Sequence, residues 1–321
     1  MLKVFDLSDI SKYRSELMGW AIVWIMMLHF TFITIKPLGF IAQYGFAGVD
    51  IFMLVSGFGL YFSLDNNNNL RAYFKRRVIR IFPTYYLIGI IPSLIIFHDN
   101  LPNYIFRYST IGFWTNSLYW EWYIPSIVIL YLIAPILKKA LDSRHITTIT
   151  FIAIAFLSVS YIIVSHEFVN DKDPHFFLLY RTPEFIFGMI CAHWTQKKTA
   201  VKIYYIVMAI GIPFFISLFP KHHEIYNYKY LSLAFLLPFF TTSLITLSKM
   251  IRQINPILSI IGKASLEIYL IQAIFFEAII TEKFKINQTW HDAITVTLLI
   301  TCILLGITIH RILDKYVLPR M

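Results

Sequence analysis

Of the 321 residues, 58% are hydrophobic and only 14% charged, more apolar surface than a soluble core can bury. The net charge of +10 would suit nucleic acid in a soluble protein, but in so apolar a chain the same excess arises from lysines and arginines in cytoplasmic loops. The composition therefore excludes a soluble or nucleic-acid-binding protein and predicts an all-α fold, a polytopic transmembrane helical bundle.

A spanning helix needs roughly 20 apolar residues. Apolar runs bounded by charges, prolines and asparagines predict about ten spans, at 18–35, 46–63, 78–97, 113–137, 146–165, 176–194, 201–219, 230–248, 257–279 and 292–312. The breaks between them are short, so one integral-membrane domain is expected over 1–321. The first run follows a polar segment holding Asp6, Asp9 and Glu16 and is too long for a signal peptide, so it is expected to stay in the mature protein. Cys191 and Cys302 lie inside apolar runs and suit small core residues, with neither a disulfide framework nor a metal site expected.

Alternate polar segments should carry the positive charges. One set holds Lys3, Lys12 and Arg14, then Arg71, Lys75, Arg76, Arg77 and Arg80, then Lys138, Lys139 and Arg144, Lys197, Lys198 and Lys202, Lys249 and Arg252, and Arg311, Lys315 and Arg320. The intervening set is sparse, with Lys36, Arg107, Lys172, Lys221, Lys229, Lys283 and Lys285. This asymmetry predicts a multi-pass protein of the cell membrane with both termini cytoplasmic. The run Asn66–Asn69 then falls in an inner loop tip and the sequon at Asn287 in an outer loop, while Trp114, Trp122 and Tyr123 suit an interfacial belt.

Ionisable residues inside the apolar runs are the candidate site, because charge in hydrocarbon is costly unless it faces a polar cavity or a partner. His29 lies about 9 Å below the outer end of the first span, and Asp50 enters the second span at a similar depth. A short loop joins these spans, so an Asp50 carboxylate holding one imidazole nitrogen, and raising the basicity of the other, is physically reasonable. Glu121, Arg181, Glu184, Gln272 and Glu277 gather at the same outer level. They could line a shared substrate cavity or lock helices together as ion pairs. At the inner surface, Arg76, Arg77 and Arg80 are spaced to share a helix face. They serve either as topology determinants or as planar donors for a phosphate.

The order of these elements resembles the acyltransferase-3 family of bacterial integral-membrane acyltransferases. The resemblance rests on His29, on Gly48-Val49-Asp50-Ile51-Phe52 with Ser56-Gly57-Phe58, and on Arg76-Arg77-Val78-Ile79-Arg80-Ile81-Phe82-Pro83. Later blocks are similar too: Trp122-Tyr123-Ile124-Pro125, Arg181-Thr182-Pro183-Glu184-Phe185, and Gly262-Lys263-Ala264-Ser265-Leu266-Glu267-Ile268-Tyr269-Leu270. Met18 stands where the family usually has an arginine, with Arg14 one turn earlier, and Gln272 stands where the family often has histidine.

The resemblance implies an enzyme that moves acyl groups, commonly acetyl from acetyl-CoA, onto hydroxyls of surface glycans or lipid-linked precursors. Its expected partners are membrane lipid, acyl-CoA and a glycan acceptor, with acyl-CoA as co-substrate and no permanently bound cofactor or metal. His29 would act as general base oriented by Asp50, or as an acyl relay. Arg181 or Gln272 would stabilise the oxyanion, Glu121 and Glu184 would contact substrate, and Arg76, Arg77 and Arg80 would hold the CoA phosphates. The alternative is a non-enzymatic exporter or flippase using the same buried charges as a solute pathway.

Overall fold

In the computed structural model the described residues are 7–29, 39, 41–42, 44–65, 69–116, 122–143, 176–198, 237, 240–280 and 291–317. Among them every regular element is helical. In chain order these are α1 (Asp9–Lys12), α2 (Arg14–His29), α3 (Ala47–Asp65), α4 (Leu70–Pro92) and α5 (Leu101–Tyr108). There follow α6 (Ile111–Asn116), α7 (Tyr123–Asp142), α8 (Phe176–Lys197), α9 (Asn255–Lys263), α10 (Ser265–Ile280) and α11 (His291–Tyr316). Four of the described helical stretches are long and apolar enough to cross a membrane: Ala47–Asp65, Leu70–Phe97, Tyr123–Asp142 and Ala293–Tyr316. A fifth is the pair Arg252–Lys263 and Ser265–Phe275, bent by 70°. The spans expected at 146–165 and 201–219, and residues 230–236, 238 and 239 of the span expected at 230–248, lie outside the described residues.

Three expected spans differ in their described parts. The third begins at Leu70 rather than 78, because the Asn69 side chain accepts from the Ala72 N–H at 3.2 Å and caps α4 well before its apolar part. Of the span expected at 113–137, the described residues form α6 and α7, with 117–121 outside the described residues. The span expected at 257–279 is broken between α9 and α10, where Lys263 interrupts the apolar run. Lys263 is exposed at the break, and its carbonyl accepts from Arg80 at 3.3 Å. α9 then keeps Ile257 and Ile260 exposed and buries Leu258 and Ile261.

The packing resolves into two units that interleave along the chain. The first comprises 1–14, 50–68 and 126–252, and the second 15–49, 69–125 and 253–321. In the first, α3 and α8 run parallel. Asp50 meets Arg181, Tyr61 meets His193 and Asp65 meets Gln196. The crossing is backbone to backbone. A Cβ on Gly57 would stand 2.1 Å from the Phe185 carbonyl oxygen, and one on Gly188 would stand 2.1 Å from that of Leu54. Small residues permit such an approach between helices that have no water to expel. α7 joins through Tyr61, whose hydroxyl donates to Asp142 at 2.7 Å.

In the second unit, α2 is clasped from two sides. A Cβ on Gly19 would meet the Leu258 oxygen at 2.2 Å, and one on Gly262 the Ser15 oxygen at 1.8 Å, so α9 lies directly against the lower half of α2. On the other side a Cβ on Gly48 would meet the Ala21 oxygen at 2.4 Å, and the Trp24 indole donates to the Ile41 carbonyl at 2.8 Å. α10 packs against α11 and α4. Beyond α4, a π-helical turn (Ser93–Phe97) ends at His98, with φ 53°, and leads to α5. α5 is pinned back on α4 by the Tyr85–Tyr108 ring contact at 4.8 Å and by Tyr104, which donates to the Tyr86 carbonyl at 2.6 Å. The outward faces of α4 and α11 are apolar and exposed, as with Ile91, Leu94, Ile300 and Leu304, which suits lipid contact.

Candidate active site

In the second unit the centre is His29, the last residue of α2. Its Nδ1 is 2.7 Å from Oε1 of Gln272 on α10. A carbonyl oxygen can only accept, so in this orientation of the amide Nδ1 carries the proton and Nε2 holds the ring's lone pair. Gln272 is fully buried, and its amide nitrogen has no hydrogen-bond partner among the described residues. Sequence reasoning set His29 and Gln272 at the same outer level, but it gave the orienting of the imidazole to Asp50. Gln272 takes Nδ1, and the Asp50 carboxylate is held by a guanidinium, a stronger partner for a buried anion than a neutral ring.

That guanidinium belongs to Arg181. In the first unit its Nη1 donates to Oδ1 of Asp50, with both side chains buried. Asp50 lies in the first turn of α3 and Arg181 near the start of α8, and the parallel glycine crossing below them sets their separation. Oδ2 of Asp50 and both carboxylate oxygens of Glu184, one turn along α8, are buried with no hydrogen-bond partner among the described residues. Buried polar atoms are nearly always bonded. Here three acceptor oxygens belong to residues in the same stretch as one buried ion pair, and such oxygens would accept from hydroxyls.

The basic cluster divides. Arg77 stacks on the Tyr73 ring, 4.9 Å from its centroid, while Arg80 reaches away to Glu267 on α10. Its Nη1 and Nη2 lie 2.7 and 3.4 Å from the two carboxylate oxygens. The Arg80 guanidinium, expected to hold phosphate, is thus engaged by a buried carboxylate. Arg14 heads α2 with its guanidinium against Gly59 of α3. Glu121 lies outside the described residues, and the Glu277 side chain is likewise not described.

Two polar clusters were missed by sequence reasoning. Glu267 meets Arg80, Thr84 and, at 3.3 Å without hydrogen-bond geometry, His310. Tyr61 forms the hub of Asp142, His193 and Gln196, with Lys138 bridging Asp142 at 2.6 Å and Asp65 at 3.1 Å. A carboxylate in the first turn of α10 and an aromatic hydroxyl one turn from a helix end were the available signals. Neither type is rare enough in such positions to stand out.

The acyltransferase-3 family model, described as an acyltransferase domain, matches residues 17–310. A protein of Acidianus two-tailed virus named as an acetyltransferase is 30% identical over 187 residues, 53% of this chain and 52% of its own length. The chain therefore spans about half the length of that curated relative. No solved structure matches.

Proposed function

We propose, from the premise that this chain belongs to the acyltransferase-3 family, that it is a multi-pass cell-membrane O-acyltransferase with both termini cytoplasmic. It moves an acyl group, acetyl in the simplest case, from cytoplasmic acyl-CoA to a hydroxyl of a surface glycan or lipid-linked glycan precursor. The observation that carries this reading is the His29–Gln272 pair, which leaves a ring nitrogen with a lone pair on a helix of membrane composition. The common direction of α3, α7 and α8 supports the topology, in which these helices are the second, fourth and sixth crossings.

In this mechanism Nε2 of His29 takes the proton from the acceptor hydroxyl as its oxygen attacks the thioester carbonyl. The new C–O bond forms, the tetrahedral oxyanion accepts from the Gln272 amide, and the C–S bond breaks as the imidazolium returns the proton to the CoA thiolate. Proton and charge balance without any further reactant. Asp50, Arg181 and Glu184 form, within the first unit, a separate candidate site for hydroxyls. Arg76 and Arg77 hold the CoA phosphates, with Arg80 reserved for Glu267.

The test is purified protein in liposomes with acetyl-labelled acetyl-CoA and a panel of glycans. The proposal predicts free CoA and an alkali-labile acetyl ester in equal amounts. Glycan crossing the bilayer with no ester formed would favour the exporter instead.

A further inference from the structure

We propose that Glu267 is the positioning residue of the His29–Gln272 pair, fixing the rotation and depth at which α10 presents the Gln272 amide to the imidazole. The inference rests on His29 being the reacting base and concerns how that base is set up.

Glu267 is fully buried, in the first turn of α10, directly after the bend that separates α10 from α9. A bend of 70° breaks the helical hydrogen-bond ladder and leaves carbonyls at the end of α9 without intrahelical donors. Arg80 repairs this break from α4. Nη2 donates to the Lys263 carbonyl at 3.3 Å, and the same guanidinium grips both oxygens of Glu267. One side chain therefore ties the last residue of α9 to the first turn of α10.

The opposite side is fixed by α11. His310 stands 3.3 Å from Oε1 of Glu267. One turn away, a Cβ on Gly306 would meet the Ile268 side chain at 2.4 Å and its Cα at 3.0 Å, so the backbones are in contact beside the carboxylate.

Gln272 follows Glu267 by five residues, about 7.5 Å along the axis and about 140° around it. The anchored face and the face that meets His29 are thus different sides of one rigid rod. A rotation of about 15° would carry a side-chain tip on a helix about 11 Å wide through about 1.5 Å. That exceeds the whole window of a hydrogen bond, about 0.5 Å. Slack at Glu267 would release Nδ1 and let the proton move between the ring nitrogens.

The experiment uses full-length protein with 15N-labelled histidine in lipid nanodiscs, the His29 ring signals being assigned by their loss in His29→Ala. Acetyl-transfer kinetics are measured on the same samples. In the native protein His29 should show a single tautomer protonated at Nδ1. Glu267→Gln, which keeps the shape, should mix the tautomers and lower kcat tenfold or more, with KM for acetyl-CoA changed less than twofold. His310→Gln spares the Arg80–Glu267 pair and should move the same signals in the same direction by less, so the proposal stays testable if Glu267→Gln does not fold.

A merely structural Glu267 would lower the melting temperature and leave the His29 signals where they were, which would overturn the proposal. So would a Glu267→Gln variant with full kcat and a lower KM, since that would mean Arg80, once released, serves the phosphates. If the native chain transfers no acetyl group at all, the proposed function fails, while the 15N signals still decide whether Glu267 sets the tautomer.

Discussion

The two ends of the α3–α8 pair are built from the same two parallel helices, yet their polar contacts are of opposite character. At the C-terminal ends Tyr61 has one proton, which it donates to Asp142 at 2.7 Å, while it accepts from the His193 Nδ1–H at 2.9 Å. Lys138 and Gln196 take up the oxygens of Asp142 and Asp65. Asp65, Asp142 and Gln196 are exposed and open to water, Gln196 Oε1 lying 2.9 Å from the Tyr61 hydroxyl, and no buried side-chain atom of Tyr61, His193 or Lys138 lacks a partner. At the N-terminal ends one ion pair, Asp50–Arg181, is buried beside acceptor oxygens of Asp50 and Glu184 that no described residue satisfies. A saturated network is complete as it stands and stabilises the bundle. An unsaturated one is costly unless something else supplies donors. A polyhydroxylated acceptor would do so.

The sharpest way to break this comparison is Arg181→Ala. It leaves two buried carboxylates with no cation, and breaking a buried pair in this way costs about 3–5 kcal/mol. Chemical denaturation in detergent should show a loss of that order together with loss of transfer. A variant within 1 kcal/mol of the native protein would mean that solvent already reaches this end.

Tyr61→Phe should have a smaller effect, about 1 kcal/mol for the lost hydroxyl bond, with acetyl transfer within twofold of native. Abolished transfer in a folded Tyr61→Phe protein would place function at the saturated end and reverse the contrast.

The smallest effect concerns an ion pair outside the spans, Asp99 with Arg107. Hydrogen bonding from Arg107, at 2.7 Å, holds the Asp99 carboxyl below its ordinary value; burial opposes this and Ser93 adds to it. A depressed carboxylate contributes stability that is full above its unfolded pKa of about 4 and is lost as pH falls through the folded value. Acid titration should therefore loosen the segment around Ser93–Tyr108 only below about pH 4. Asp99→Asn should remove that pH dependence, and an Asn variant with an unchanged acid profile would assign it elsewhere.

How much of this was legible in the sequence depended on rarity. His29, Asp50 and Arg181 stand out because ionisable residues are scarce in apolar runs, and helical content follows from the lengths of those runs. Partnership was harder to read. Depth along a helix can be counted, but azimuth and neighbour cannot. Counting along the spans gives His29 and Asp50 similar depths, yet Nδ1 of His29 meets Gln272, which lies 243 positions along the chain. Arg80 was hidden for a related reason. A basic residue at an inner surface is already explained by topology, so nothing pointed to a carboxylate 187 positions away. The broken ninth span was marked by Lys263, although a single lysine does not announce a 70° bend.

The central claim, that His29 is the base of an acyl transfer, is tested most directly by measuring acetyl-ester formation by His29→Ala in liposomes, alongside native protein matched for folding by thermal melting. General-base catalysis is worth about 10²–10⁴-fold, so the account predicts a loss of at least about a hundredfold with the melting profile preserved. Turnover within a few fold of native would contradict it.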